Sequence, residues 1–150
     1  MSMPFMKHMN WIEESRIIFS AEKPENFGNY DHCDECFEYN ELLKSRNLDN
    51  LNLEDVCPSS DPFCFCSDEG IKYFMPALVR LCFDTNDFFF SQLISHLEKD
   101  GKENSLFASC SEEQKAFISS FIDYMINNYT EKLEQYRCDH AVFRAYEVWS

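Results

Sequence analysis

"SEEQKAFISSFIDYMINN", Ser111 to Asn128, is the stretch that sets the fold class. Ser111 and, three residues on, Gln114 spell a capping box, in which hydroxyl and side-chain amide each accept the other residue's free backbone N–H. Behind it Phe117, Ile118, Phe121, Ile122, Met125 and Ile126 recur at helical spacing, so the stretch predicts a long amphipathic helix whose apolar side is core. The composition points the same way. With 15 Phe and 7 Tyr against 3 Gly and 5 Pro, the chain is rich in bulky packing groups and poor in the turn residues that many short strands need.

Working upstream, Phe88 to Lys99 repeats the pattern with Phe88, Phe89, Leu93, Ile94 and Leu97 inward, and Gly101 ends it. "SDEGIKYFMPALVRLCFD", from Ser67, reads as an almost wholly apolar central helix in which Pro76 kinks the helix or opens its second half. Asn10 to Ala21 is a loosely amphipathic first helix, closed by Pro24 and Gly28. Asp31 is expected to cap a second helix reaching about Arg46, with Asp34 and Glu35 at its positive end. Between them "NLDNLNLEDVCPSSDPFCFCSD", Asn47 to Asp68, reads as a long ordered loop carrying prolines and cysteines. Downstream, "RCDHAVFRAYEVWS" continues or restarts at Asp139 and packs Val142, Phe143, Tyr146 and Trp149 back on the body. The expectation is a mainly α protein: one compact domain over residues 1–150 of five to six helices and that loop, with no internal repeat and no linker. At 150 residues and 45% hydrophobic content, there is material for one core.

The formal charge is −14, from 27 acids and 13 bases, so an average surface repels phosphate backbones and direct nucleic-acid binding is excluded as an expectation. Eleven of the acids fall between Asp31 and Glu69, where Lys44 and Arg46 are the two bases. No apolar run reaches the roughly 18 to 20 residues that cross a bilayer, and "MSMPFMKHMNWIEES" has neither a long apolar core nor a small-residue cleavage site. The expectation is a cytoplasmic chain that does not engage membranes and whose eight cysteines are thiols or metal ligands rather than disulfides.

No glycine-rich phosphate loop, no Gly-x-Ser-x-Gly elbow and no His-Glu-x-x-His helix is present, and no residue is assigned a catalytic role. Cys33, Cys36, Cys64 and Cys66 could supply the four sulfur donors of a tetrahedral zinc, with Cys57 or His32 as substitutes. If Phe63 to Cys66 is extended, Cys64 and Cys66 share a face with Phe65 opposite. Against zinc, Cys33, Cys36, Phe37, Asn40 and Leu43 form one helical stripe, on which cysteine serves as a small buried hydrophobe. Redox chemistry is disfavoured because Asp31, Asp34 and Glu35 oppose thiolate formation and no βαβ unit surrounds the pair. Cys–His catalysis is disfavoured because His32 and Cys33, as neighbours on a helix, diverge.

Three phrases, "HCDECFEYNELL", "CSDEGIKYFMPALVRLCF" and "LFASCSEEQKAFISSFIDYM", together resemble a family of small uncharacterised bacterial domains. That family has a Cys-x-x-Cys helix start, a Ser-led helix with aromatics before Pro-Ala, and a Phe-x-x-Leu-Ser-x-Glu-Gln helix opening. The resemblance spans roughly Trp11 to Asn128 and implies one fold and a bacterial origin, with no assigned chemistry. This chain departs from the pattern at Cys110, where the family usually has Leu, and in the insertion-like "CPSSDPFCFC".

The functional expectation is an acidic interaction protein. Asp31, Asp34, Glu35, Glu38, Glu41, Asp55 and Asp61 would meet a basic protein partner, a toxin or a nucleic-acid enzyme, with exposed Phe63 and Phe65 as desolvated anchors. The protein would then neutralise that partner as an immunity protein or inhibitor. The alternative is a small zinc-stabilised or cysteine-dependent domain, in which an enzymatic activity is open.

Overall fold

Eight α-helices and four short 3₁₀ turns, with no strand, make up the ordered elements among the described residues of a computed structural model, which covers residues 4–150. Met1 to Met3, the opening of the stretch read for a leader, lie outside the described residues. In chain order the helices are α1 (Pro4–Ile18), α2 (Asp34–Ser45), α3 (Asp68–Cys82), α4 (Phe90–Glu98), α5 (Ser105–Ser109), α6 (Glu112–Asn128), α7 (Thr130–Gln135) and α8 (Asp139–Trp149). The count exceeds the five to six expected because α5 and α7, at 5 and 6 residues, are too short to show a period. No described helix is long and apolar enough to cross a membrane. The chain divides into two compact units, Met1–Leu81 and Cys82–Ser150.

In the first unit α3 supplies Ile71, Phe74, Met75 and Leu78 to a core completed by Phe27, Leu43, Leu51, Val56 and Phe63. Phe74 stacks its edge against Phe63 (5.7 Å between centroids) and lies 5.4 Å from Phe27, contacts that add to area burial. Pro76 sits inside α3, which continues through it to Cys82. Arg80, near the end of α3, donates from Nη2 to the carbonyls of Leu48 and Leu51.

The segment after α2 is built from three consecutive 3₁₀ turns, Leu53–Val56, Pro58–Ser60 and Pro62–Phe65. Asn52 and Asp55 close a capping box on the first turn, and Asp55 also takes a two-pronged bond from Arg46, Nε to Oδ2 at 2.8 Å and Nη2 to Oδ1 at 3.0 Å. Burial pushes the Asp55 carboxyl up, but the Arg46 fork and the Asn52 N–H outweigh it and hold it below its ordinary range. Asp61 caps the third turn by accepting the Phe63 N–H at 2.8 Å. Two of the seven carboxylates expected on a binding face are therefore structural groups: the Asp55 side chain is 7% exposed and Asp61 is buried. The expected Phe63 anchor is likewise corrected, because its ring belongs to the core.

In the second unit the expected stripe of α6 is buried from Phe117 to Met125; α8, with Val142, Ala145 and Trp149 buried, packs against both α6 and α4, and Phe90 of α4 meets Phe121 edge to face. Trp149 donates its indole N–H to the Leu97 carbonyl at 2.9 Å. Asn104, fully enclosed, closes α4 by donating to the carbonyls of His96, Leu97 and Lys99, and opens α5 by accepting from Phe107. The Ser111 box stands as read: its Oγ accepts from Gln114 N–H at 3.2 Å and Gln114 Oε1 accepts from Ser111 N–H at 2.9 Å. Phe143, expected to pack back, points outward on α8.

Candidate functional site

The N-cap of α2 is Cys33, two residues after the expected Asp31 cap. Asp31 lies in a turn in which His32 donates its N–H to the Asn29 carbonyl at 3.1 Å. Cys33 has extended backbone angles (φ −164°, ψ 172°), and its Sγ accepts the backbone N–H of Cys36 at 3.3 Å. A sulfur thus fills the place that serine, threonine or aspartate usually takes. The two sulfurs lie 3.2 Å apart, and His32 Nδ1 lies 3.7 Å from Cys36 Sγ.

His32 precedes the helix in a bend, and its ring lies toward Cys36, four residues on. Cys33 is exposed and Cys36 is buried, which splits the expected inner stripe: Cys36, Asn40 and Leu43 face in, while Cys33 and Phe37 face out.

The thiols are also separated chemically. The Cys36 backbone N–H, His32 and the Cys36 side chain hold the Cys33 thiol down at about 7, and the helix dipole acts in the same direction. The Cys36 thiol is pushed up by its contact with Cys33 and by burial. The neighbouring acids were expected to keep both thiols protonated; for Cys33 the fixed donors prevail.

α2 is tied to distant chain by hydrogen bonds. Buried Asn40 accepts the Phe27 N–H at 2.7 Å and donates to Asn26 Oδ1 at 3.0 Å. Ser67 donates its N–H to the Phe27 carbonyl at 2.6 Å. Gly28 lies so close to the Phe65 carbonyl that a Cβ there would overlap it.

The zinc set is not assembled as expected. Of the expected donors, Cys33 and Cys36 come within 4.8 Å of each other and of His32, and neither Cys64 nor Cys66 joins that group. Phe63 to Phe65 lie in a 3₁₀ turn rather than an extended strand, so Cys64 is exposed while the Cys66 sulfur lies where a Gly70 Cβ would meet it. Burial pushes the Cys66 thiol well up, as it does Cys82. Three donors remain where a closed tetrahedral zinc needs four.

Around the cluster the surface is acidic and aromatic. Asp31, Asp34, Glu35, Glu38 and Glu41 are all exposed. On α2, at roughly 100° per residue, Asp34, Glu38 and Glu41 fall on one narrow outward stripe. Phe37 borders the stripe at 50% exposure, and Phe65 at 47% stacks on Tyr39, roughly 100° round the helix from Glu38, with centroids 5.8 Å apart. Glu41 is shared with Lys44 at 3.4 Å, whereas Asp34, Glu35 and Glu38 form no ion pair among the described residues. Phe37 was missed because its spacing from Cys33 and Leu43 suited the inner stripe. The comparisons with protein-family models, curated proteins and solved structures found no match for this chain.

Proposed function

We propose that this protein is an acidic interaction module that binds a basic protein surface through α2. The observation that carries the reading is the outward stripe of Asp34, Glu38 and Glu41, bordered by half-exposed Phe37. An exposed ring beside Asp34 and Glu38, which form no ion pair among the described residues, combines what interfaces use: long-range steering by charge and a desolvated anchor. Asp31 and Glu35 extend the negative field at the start of the helix.

The complementary surface is one rich in Lys and Arg, and surfaces of that kind are the ones that bind phosphates. The reading therefore extends to a basic toxin nuclease or another nucleic-acid enzyme, which this protein would neutralise by covering its phosphate-binding surface.

The test is co-purification from the native host at low and at raised salt, with the retained protein identified, followed by binding with purified components. The expected result is a basic partner held at low salt and weakened as salt rises. The double reversal Asp34→Lys with Glu38→Lys and the single change Phe37→Ser should each weaken binding at least tenfold while leaving the helical circular dichroism intact. A partner bound equally well by these variants would overturn the assignment of the α2 face, and retention of no basic protein at low salt would overturn the reading as a whole. The nucleic-acid-enzyme extension is lost if the purified partner's activity is unaffected by saturating amounts of this protein.

A further inference from the structure

The pair Cys33 and Cys36 has a division of labour that binding a basic surface does not require. We propose that they form a thiol–disulfide exchange site that reduces disulfides carried on positively charged molecules, with Cys33 as the attacking thiol, Cys36 as the resolving thiol and His32 as its proton acceptor.

The geometry assigns the roles. Cys33 is exposed and can meet a disulfide in solution; Cys36 is buried, with its sulfur against that of Cys33 and the ring of His32. An attacking sulfur must be a thiolate, and Cys33 sits at the helix start with the Cys36 N–H directed at it. The sulfurs are already in contact at 3.2 Å, so forming an S–S bond of about 2.05 Å needs a side-chain movement and no rearrangement of the turn. His32 Nδ1, at 3.7 Å from the Cys36 sulfur, can remove the proton that burial otherwise keeps there.

The chemistry closes on itself. The Cys33 thiolate attacks a disulfide R–S–S–R′, a Cys33–S–S–R bond forms, and R′–S⁻ leaves and takes up the proton that Cys33 had released. Cys36 then gives its proton to His32 and attacks the Cys33 sulfur, expelling R–S⁻, which is protonated in turn. Two electrons pass from the protein dithiol to the substrate, and the protein is left with a Cys33–Cys36 disulfide. The charge preference follows from Asp31, Asp34 and Glu35, which are exposed around the attacking sulfur. They repel anionic disulfides and concentrate cationic ones.

The test treats the reduced full-length chain with cystamine, a cationic disulfide, and separately with oxidised glutathione, an anionic one, at low and at raised salt. The expected outcome is a disulfide mapped to Cys33 and Cys36, formed at least tenfold faster with cystamine at low salt, the difference shrinking as salt screens the acids. Cys36→Ser should stop at a mixed disulfide on Cys33, and His32→Ala should slow the second step more than the first, to which His32 contributes only by favouring the Cys33 thiolate. Oxidation mapped only to Cys57 or Cys64 would overturn the proposal, as would a mixed disulfide that persists on Cys33 in the unaltered chain. So would protein purified without a metal-affinity column that holds stoichiometric zinc and reacts only once the metal is removed. Equal rates with the two disulfides would overturn the substrate preference.

Discussion

α2 and α6 meet the same physical demand, the free N–H groups of a first helical turn, with opposite materials. α6 uses a reciprocal box of oxygen acceptors between Ser111 and Gln114, residues three apart, and needs nothing beyond its own first turn. α2 uses a sulfur, Cys33, which is a weak acceptor, and the helix is tied to distant chain further along: Asn40 to Phe27, Phe27 to Ser67, with Gly28 close against Phe65. A helix that relies on tertiary support can spare its capping atom for chemistry, whereas one that stands alone cannot.

The support is the first place to break the contrast. Gly28→Ala would drive a methyl into the Phe65 carbonyl, a backbone atom that cannot rotate away. A loss of about 3 kcal/mol in urea unfolding is expected, at the upper end of overpacking costs. A loss under about 0.5 kcal/mol would mean that the close approach of these two segments does not seat α2.

The second effect is in reactivity. At a thiol pKa of about 7, Cys33 is roughly half thiolate at neutral pH, against about 1% for a thiol held at 9.0. The gain in thiolate is partly offset because nucleophilicity falls with pKa, leaving about a fivefold faster alkylation at pH 7 than an ordinary exposed cysteine. The rate should rise with pH through a midpoint near 7. The sign for stability follows: the folded chain favours the Cys33 thiolate, so that contribution is fully present above the unfolded thiol's pKa and is lost as pH falls through about 7. Mass-resolved iodoacetamide labelling across pH 5 to 10 tests this, and a midpoint at 8.5 or above would remove the distinction between the two caps.

What was legible in the sequence follows the same division. The box at Ser111 and the stripe from Phe117 to Met125 could be read because every determinant lies within a few residues. The start of α2 could not, because cap preferences favour Asp31 while the turn from Asn29 to His32 places the first helical residue at Asp34. That displacement of two residues places His32 in a bend before the helix, with its Nδ1 3.7 Å from Cys36 Sγ. The Cys64–Cys66 segment was misjudged for a related reason. An extended reading places Phe63 and Phe65 on one face, but a 3₁₀ turn separates residues two apart by about 240°, so Phe63 enters the core and Phe65 stays outside. Asp55 and Asp61 lost their surface roles to turns whose partners, Arg46 and the Phe63 N–H, no periodicity announces.

Exchanging the capping atoms makes the smallest and most discriminating change. Ser111→Cys replaces a good acceptor by a poor one and leaves the Gln114 half of the box in place, so about 0.5–1 kcal/mol of stability should be lost. Cys33→Ser does the reverse and should be neutral or stabilising by a few tenths of a kcal/mol when measured at pH 6 under reducing conditions, where the native thiol is protonated. If sulfur at position 33 were there for packing, its removal would cost as much as the serine exchange costs at α6, since Cys36 Sγ and the His32 ring would lose a neighbour. An exposed residue that the fold does not need, held beside a buried thiol and a histidine, is left with its reactivity as the property that the surrounding turn maintains.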